Sequence, residues 1–156
     1  MSIQRRYWDS TAFIAFFAEE EGRVDLCQGV LDAAERDEVE IVTSALTLSE
    51  VVHIRGRERL DAELEDQLVA FFEQPYIIIV DLIRDVSENA RELLWRHGHL
   101  RAYDANHIAT AIYANVAIID SFDDDFLRLD GQLQTLDGVN IRIGHPDLLF
   151  QTRLNL

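Results

Sequence analysis

Tyr76-Ile-Ile-Ile-Val80 is an uninterrupted apolar run that is β-branched from Ile77 onward, which is typical of a parallel strand buried on both faces. Pro75 directly before this run ends the preceding helical pattern, since a proline disfavours helical geometry in the residue before it. A second helical pattern follows over residues 82–97, and Gly98 ends it. A buried strand between two helical segments indicates an α/β fold.

The same alternation of strands and helices extends along the chain in both directions. Strands are predicted over residues 4–9, 40–43, 76–80 and 116–119, with a peripheral fifth strand over 139–143. Helices are predicted over 11–18, 24–37, 44–56, 58–73, 82–97, 102–115 and 122–129. This order predicts a mostly parallel central sheet of about five strands with helices on both faces. The sequence shows no repeat or linker, so we expect one domain over residues 1–156.

The length and the cysteine content exclude several classes of protein. No apolar run approaches the roughly 20 residues that a membrane helix needs. Charges occur too early in the chain for a signal peptide, so we expect a cytoplasmic protein. Cys27 is the single cysteine, which excludes an internal disulfide and a cysteine-based zinc site. It is expected to be a small buried hydrophobic residue.

The charge balance is strongly acidic: 29 acidic residues face 14 basic residues, for a net charge of −15. Every basic residue is arginine, so Schiff-base chemistry, a phosphate-binding Walker lysine and receiver-domain signalling are excluded. The acidity also argues against simple nonspecific adhesion to nucleic acid, which requires positive charge. Two explanations stay open, namely a high-salt or high-GC ancestry and a basic partner that neutralises one face.

Four carboxylates occur where an α/β fold would gather them. Asp9 ends the first strand, Glu50 follows the second strand, Asp104 lies in the opening turn of the helix predicted over 102–115, and Asp123 follows the fourth strand. Ligands of parallel sheets bind beyond the carboxyl ends of the strands. Carboxylates that converge there repel one another, and a hard divalent cation such as Mg²⁺ relieves the repulsion. The pattern therefore indicates a metal-dependent phosphodiester enzyme.

Each acidic residue also has an ordinary structural interpretation. Asp9 and Asp104 are suitable helix N-caps, and Glu50 is compatible with a solvated helix surface. The run Asp123-Asp-Asp125 is compatible with a solvated loop, although three consecutive acids after a buried strand repel one another. His53 and His107 each follow an acid by three residues, a spacing found in di-iron helix bundles. Because this chain has clear strands, a surface or hydrogen-bonding role is preferred for both histidines.

The ordered motifs resemble those of the PIN-domain nucleases, and by length the chain is similar to the VapC toxins of toxin–antitoxin pairs. The motifs are Tyr7-Trp-Asp9-Ser10, Thr43-Ser44-x₅-Glu50, Tyr103-Asp104-Ala-x-His-Ile-Ala-Thr-Ala and Ser121-x-Asp123-x-x-Phe126. The third is the most specific. In the last motif the family often has threonine where this chain has Ser121, and the hydroxyl is retained. The strong acidity is unusual beside an RNA substrate.

The resemblance implies a PIN fold and a Mg²⁺- or Mn²⁺-dependent endoribonuclease. By position, Asp9, Asp104 and Asp123 would ligate the metal, Glu50 would ligate it directly or through water, and Asp125 would be an auxiliary ligand. The bound metal would activate a water toward the scissile phosphate, with a second ion arriving with the RNA. Ser10 and Ser121 would orient ligands or bind phosphate.

The resemblance also implies partners. The arginines near the carboxylates would contact RNA, although each is also compatible with an ordinary surface ion pair: Arg55, Arg57, Arg59, Arg96 and Arg101. VapC-like toxins are usually homodimers inhibited by a VapB-like antitoxin that reaches the acidic pocket with a basic side chain. Phe16, Phe17, Phe71 and Phe72 would serve such an interface, but core packing is the stronger expectation.

Several alternative functions stay open. One is a DNA-directed nuclease or another phosphodiesterase, and another is a noncatalytic PIN-like module that binds protein. A haloacid-dehalogenase-like hydrolase would need an aspartate two residues after Asp9, where this chain has Thr11.

Overall fold

A computed structural model describes residues 2–54 and 58–148, and for the short strands at 53–54 and 58–59 it describes the backbone alone. The central sheet in this part of the chain has five strands: β1 (Gln4–Trp8), β2 (Val39–Ser44), β5 (Ile77–Val80), β6 (Ile118–Asp120) and β7 (Arg142–Gly144). All five are parallel, and their order across the sheet is β5-β2-β1-β6-β7. The predicted parallel α/β architecture is confirmed.

Seven helices are formed by the described residues. They are α1 (Ser10–Phe17), α2 (Val24–Glu35), α3 (Leu46–Glu50), α4 (Ala62–Phe72), α5 (Arg84–Arg96), α6 (Ala102–Tyr113) and α7 (Asp124–Leu127). Alternate residues of β1 point to opposite faces of the sheet. Tyr7 packs with the apolar residues of α5 and α6, whereas Trp8 packs with those of α1, α2 and α4. The protein therefore has three layers. The sheet separates a first hydrophobic core, which contains Tyr7, from a second hydrophobic core, which contains Trp8.

Phenylalanines form much of the second core. Phe16, Phe17 and Phe71 are partly buried and contact one another, with ring centroids 5.1 to 6.1 Å apart. Phe13 contacts both Phe71 and the buried Phe72. Edge-to-face and stacked pairs of this kind stabilise a core beyond the area they bury. The expectation of core packing for these side chains is confirmed.

The predicted helix over 44–56 is wrong beyond Glu50. The chain leaves the helix at Val51, whose ψ is +65°, and forms a two-stranded antiparallel hairpin of β3 (His53–Ile54) and β4 (Glu58–Arg59). Helix α4 consequently begins at Ala62 rather than at 58, after Asp61, whose side chain accepts a hydrogen bond from the Leu64 N–H at 2.8 Å. The apolar pair Val51-Val52 continues a helical pattern, and strand pairing overrides that local preference.

The β-branched run over 76–80 forms β5, but only Ile77 within that strand is buried. The predicted burial of the whole strand is wrong, because β5 lies at one edge of the sheet and pairs only with β2. Its residues still contact both layers, since Ile78 and Val80 pack on the first core and Ile79 on the second. The predicted fifth strand lies at the opposite edge and covers 142–144 instead of 139–143.

A buried ion pair joins the two central strands. The guanidinium of Arg6 donates to both carboxylate oxygens of Asp120 at 2.7 Å, and the Trp8 indole N–H donates to the same carboxylate at 2.9 Å. Arg6 and Asp120 are 2% and 1% exposed. Burial raises the pKa of Asp120, and the charge and hydrogen bonds of Arg6 oppose that rise. The carboxylate at the end of β6 is therefore supplied with its own cation.

None of the helices in the described ranges combines the length and the apolar character that a membrane span requires.

Candidate active site

The carboxylate cluster lies where the strand order reverses. From β1 the chain proceeds to β2 and β5 on one side, while β6 and β7 lie on the other. Trp8 and Asp120 are register partners in the parallel β1–β6 pair, so the next residues, Asp9 and Ser121, leave the sheet side by side. A switch point of this kind is the usual ligand site of an open parallel sheet.

Asp9 is the N-cap of α1 and also the centre of a hydroxyl network. Its Oδ1 accepts hydrogen bonds from the Thr11 hydroxyl at 2.6 Å and the Ala12 N–H at 3.2 Å. Its Oδ2 accepts from the Ser121 hydroxyl at 2.6 Å. Burial raises the pKa of Asp9, while the hydrogen bonds from Ser121 and Thr11 oppose the rise. The structural interpretation as a helix cap and the placement at the strand ends are therefore both correct.

Ser121 connects Asp9 to the acidic run that follows it. Its hydroxyl oxygen accepts from the Asp123 N–H at 3.0 Å while its proton goes to Asp9. The Asp123 carboxylate is the N-cap of α7 and accepts from the Asp125 N–H at 2.9 Å. Asp123 and Asp125 are both half-buried. The hydroxyl at position 121 thus links the Asp9 carboxylate to the backbone of Asp123.

Asp104 is not the N-cap of its helix, as the sequence had suggested, but its third residue. The helix begins at Ala102 because Arg101 is extended, and the Asp104 carboxylate accepts from the Arg101 N–H at 3.1 Å. This contact is the returning half of a capping box. Asp104 is 2% exposed. Burial raises its pKa, and the negative charges of Asp123 and Asp125 raise it further, which shows that these acids lie within electrostatic reach.

Glu50 is not an ordinary solvated glutamate. Its Oε1 accepts from the Ser10 hydroxyl at 2.7 Å and lies in hydrogen-bond contact with Nε2 of His107. Burial raises the pKa of Glu50, but the hydrogen bonds from His107 and from the Ser10 hydroxyl lower it, and the net shift is downward. Glu50 is therefore kept ionised at the site, 57 residues away in sequence from its histidine.

The donor chemistry suits a hard cation, although the side chains do not form a closed cage. Within residues 2–54 and 58–148, no three His, Cys, Asp or Glu side chains are grouped closely enough to hold a metal ion. Burial raises the pKa of both Asp9 and Asp104, and the charges of Asp123 and Asp125 raise that of Asp104 further. Carboxylate and hydroxyl oxygens are the ligands that Mg²⁺ and Mn²⁺ take. A bound cation would compensate the charge of these carboxylates.

The predicted RNA-contact arginines do not all lie at the carboxylate site. Arg101 lies at the site, donates to the Tyr103 hydroxyl at 2.7 Å, and interacts electrostatically with Asp104 and Asp125. Arg96 is exposed and forms an i,i+4 ion pair with Glu92 on α5, the surface pairing that the sequence allowed as its alternative. Arg55 and Arg57, and the side chain of Arg59, lie outside the described residues.

Sequence reasoning missed the roles of two side chains. Thr11 donates to Asp9 and accepts from the Phe122 N–H at 3.1 Å, so it joins the two strand ends. Its place in the Asp9-Ser10-Thr11 run was the available signal. For His107 the expected hydrogen-bonding role is confirmed, but nothing in the sequence identifies Glu50 and Tyr7 as its partners. The side chain of His53 lies outside the described residues.

Cys27 is fully buried in the second core, as predicted. Burial raises the pKa of its thiol to about 12, with the charge of Asp120 as the next contribution. Because the thiolate is the reactive form, Cys27 is a packing residue in this fold.

Comparison with solved structures yields the same architecture. The VapBC2 complex of Rickettsia felis, bound to a DNA fragment from its promoter, matches with a TM-score of 0.63 and 15% identity, covering 90% of this chain and 98% of that one. VapC20 of Mycobacterium tuberculosis, a sarcin–ricin loop cleaving toxin, matches with a TM-score of 0.63 and 18% identity over 77% and 92% of the two chains. FitAcB of Neisseria gonorrhoeae matches with a TM-score of 0.56 and 18% identity, covering 90% of this chain and 97% of that one. These identities establish the fold alone.

A search of curated proteins finds no match. The sequence model of the PIN domain, in contrast, matches residues 6–132, a stretch that contains all four predicted carboxylates. The chain therefore belongs to the PIN-domain family.

Proposed function

We propose that this protein is a metal-dependent endoribonuclease that acts as a VapC-like toxin. The observation that carries the proposal is the network in which Ser121 joins Asp9 to Asp123 at the switch point of the sheet, with Asp104 within electrostatic reach. Its support from known proteins is the PIN-domain match and the similarity in fold to VapC toxins.

In this proposal Asp9, Asp104 and Asp123 bind Mg²⁺ or Mn²⁺, Glu50 joins them directly or through water, and Asp125 assists. When bound, the metal lowers the pKa of a water and neutralises charge on the phosphate. Ser121 fixes the orientation of Asp9, and Ser10 fixes that of Glu50. Arg101 interacts electrostatically with Asp104 and Asp125 and would meet an approaching phosphate.

The test is cleavage of a mixed RNA pool by the purified chain in Mn²⁺, in Mg²⁺ and in EDTA. An oligonucleotide of the sarcin–ricin loop belongs in the pool, because one structural neighbour is a toxin that cleaves that loop. Asp9→Asn serves as the inactive variant. Asp25→Asn, which alters an exposed carboxylate on α2, is the matched control. We expect metal-dependent cleavage by the wild type and by Asp25→Asn only.

Two results would redirect the proposal. Cleavage of single-stranded DNA in preference to RNA would assign the site to a DNA nuclease. Absence of cleavage of either nucleic acid, in a folded protein shown by mass to carry no partner, would favour a protein-binding PIN module.

We also propose an antitoxin partner, because structural neighbours occur in toxin–antitoxin complexes. A groove of about 330 Å³ between α3 and α4 suits such a partner. Leu48 and Val69 are 44% and 49% exposed in it, and Glu65 and Glu73 line it. Apolar residues flanked by basic ones would complement this surface. Val69→Asp should weaken binding of a co-expressed candidate antitoxin, measured by calorimetry, and unchanged affinity would exclude the groove.

A homodimer is the third part of the proposal. Native mass spectrometry of the chain purified without antitoxin would show twice the 17.9 kDa protomer mass, and a purely monomeric spectrum at micromolar concentration would contradict it.

A further inference from the structure

Three side chains from separate elements form a chain of contacts behind the carboxylates. Tyr7 of β1 places its hydroxyl 2.6 Å from Nδ1 of His107 on α6. The other ring nitrogen, Nε2, contacts Oε1 of Glu50 at the end of α3 and lies 3.4 Å from the Ser10 hydroxyl. Tyr7 is fully buried and His107 is 2% exposed. The rings meet edge to face, with centroids 5.9 Å apart.

The direction of these hydrogen bonds follows from the two partners of His107. The Tyr7 hydroxyl is a donor and lies 2.6 Å from Nδ1, which is a hydrogen-bond acceptor when it carries no proton. An ionised carboxylate accepts hydrogen bonds and donates none, so Nε2 of His107 is the donor in its contact with Oε1 of Glu50. The hydroxyl proton is then free to point at Nδ1. A neutral imidazole that accepts at Nδ1 carries its proton on Nε2, where it faces Glu50.

Glu50 needs such an external support. It is the last residue of the five-residue helix α3, and a helix of that length has little stability of its own. The hydroxyl of Ser10 and the imidazole of His107 both contact Oε1. No described residue donates a hydrogen bond to Oε2, so that oxygen is left for a ligand from outside.

We propose that His107 is a positioning residue, which donates from Nε2 to Oε1 of Glu50 and thereby orients Oε2 toward the site, with Tyr7 fixing the imidazole in the required tautomer. The contact stands on the metal-free geometry, whereas its effect on metal binding and cleavage rests on the function proposed above. Mutation of a residue that contacts a metal ligand rather than the metal typically lowers metal affinity or activity by about 10- to 100-fold.

The first experiment needs no activity. Nitrogen NMR of the metal-free protein reports which imidazole nitrogen of His107 carries the proton. We expect protonation at Nε2 and a bare Nδ1 in the wild type, with the Nε2 proton signal displaced in Glu50→Ala. In Tyr7→Phe the preference for this tautomer should be lost. A proton on Nδ1 of the wild type, or a His107 signal that ignores Glu50→Ala, would overturn the proposal.

The second experiment measures Mn²⁺ affinity by calorimetry together with kcat and KM for RNA. His107→Leu should weaken Mn²⁺ binding or lower kcat by about 10- to 100-fold with little change in KM. His107→Gln retains an N–H donor for Glu50 and an acceptor for Tyr7, so it should recover most of that loss. A folded His107→Leu protein with wild-type affinity and kcat would overturn the proposal, as would a His107→Gln protein no better than His107→Leu.

The variants also separate this proposal from the proposed function. If the wild type neither binds Mn²⁺ nor cleaves RNA, the nuclease proposal fails while the NMR result still decides the His107–Glu50 contact. If His107→Leu does not fold, His107→Gln and Tyr7→Phe carry the test, since both preserve the volume of the buried side chains.

Discussion

Asp120 and Asp9 are two buried aspartates at the same end of neighbouring strands, and they are held in opposite ways. Asp120 is paired with Arg6 and Trp8 inside the second core. Asp9, one position further along the adjacent strand, accepts its hydrogen bonds within the described residues from hydroxyls and a backbone N–H. Burial raises the pKa of both. A carboxylate with its own guanidinium completes the fold, whereas one held by neutral donors among other acids is prepared for a cation from outside.

The largest expected effect comes from breaking the compensated pair. Arg6→Leu leaves the Asp120 carboxylate buried with the Trp8 indole N–H as its remaining side-chain donor, and removing one partner of a buried ion pair costs about 3–5 kcal/mol. Urea unfolding should show that loss. The double variant Arg6→Leu/Asp120→Leu should recover most of it, because no uncompensated charge is left. Equal stabilities of the single and double variants would mean that Arg6 contributes packing rather than charge.

The next effect concerns cleavage. Asp9→Asn, Asp104→Asn and Asp123→Asn should each reduce the proposed RNA cleavage by about 10²-fold or more, the scale on which electrostatic groups at a reaction centre act. Melting temperatures should equal or exceed that of the wild type, because asparagine is as good an N-cap as aspartate at position 9 and one charge of a repelling set is gone. Clear unfolding of these variants at moderate temperature would make the cluster structural, like Asp120.

A smaller effect is expected for the hydroxyl support of Asp9. Thr11→Val keeps the side-chain shape but removes the donor to Asp9 and the acceptor for the Phe122 N–H, which should cost about 1–2 kcal/mol. The measurement is urea unfolding with EDTA present, and Thr11→Ser, which retains the hydroxyl, is the control. If Thr11→Ser is as unstable as Thr11→Val, the methyl contact rather than the hydrogen bonds supports the site.

The smallest effect is a pH-dependent difference between wild type and Asp9→Asn without metal. The pKa of Asp9 is raised in the folded protein, so the unfolded chain ionises first as pH rises above the ordinary value of 3.8. The wild type should therefore lose stability relative to Asp9→Asn between 3.8 and the raised pKa. Unfolding free energies of both proteins across acidic pH test this. A difference that shrinks as pH rises would show that hydrogen bonds, not burial, dominate at Asp9.

Much of this contrast follows from local sequence, and the remainder does not. The β-branched runs and their alternation with helical patterns predict the parallel sheet. The acids that follow strands predict the location of the site. The pairing of Asp120 with Arg6 joins residues 114 positions apart, and that of Glu50 with His107 joins residues 57 apart, so neither leaves a local signal. The hairpin after Glu50 is hidden because Val51-Val52 extends the helical pattern of α3.

The long separation of Asp9 from Ser121, 112 residues in sequence, has a consequence for synthesis. While the chain emerges from the ribosome, Asp9 lacks its site partners until β6 pairs with β1 and Asp123 follows β6. Parallel strands pair only after a long loop has closed, and domains fold as their last segments become available. A nascent chain that ends before Asp123 therefore lacks the assembled site. If the proposed toxin activity holds, a ribosome making this protein is exposed to it only after β6 and Asp123 have been synthesised.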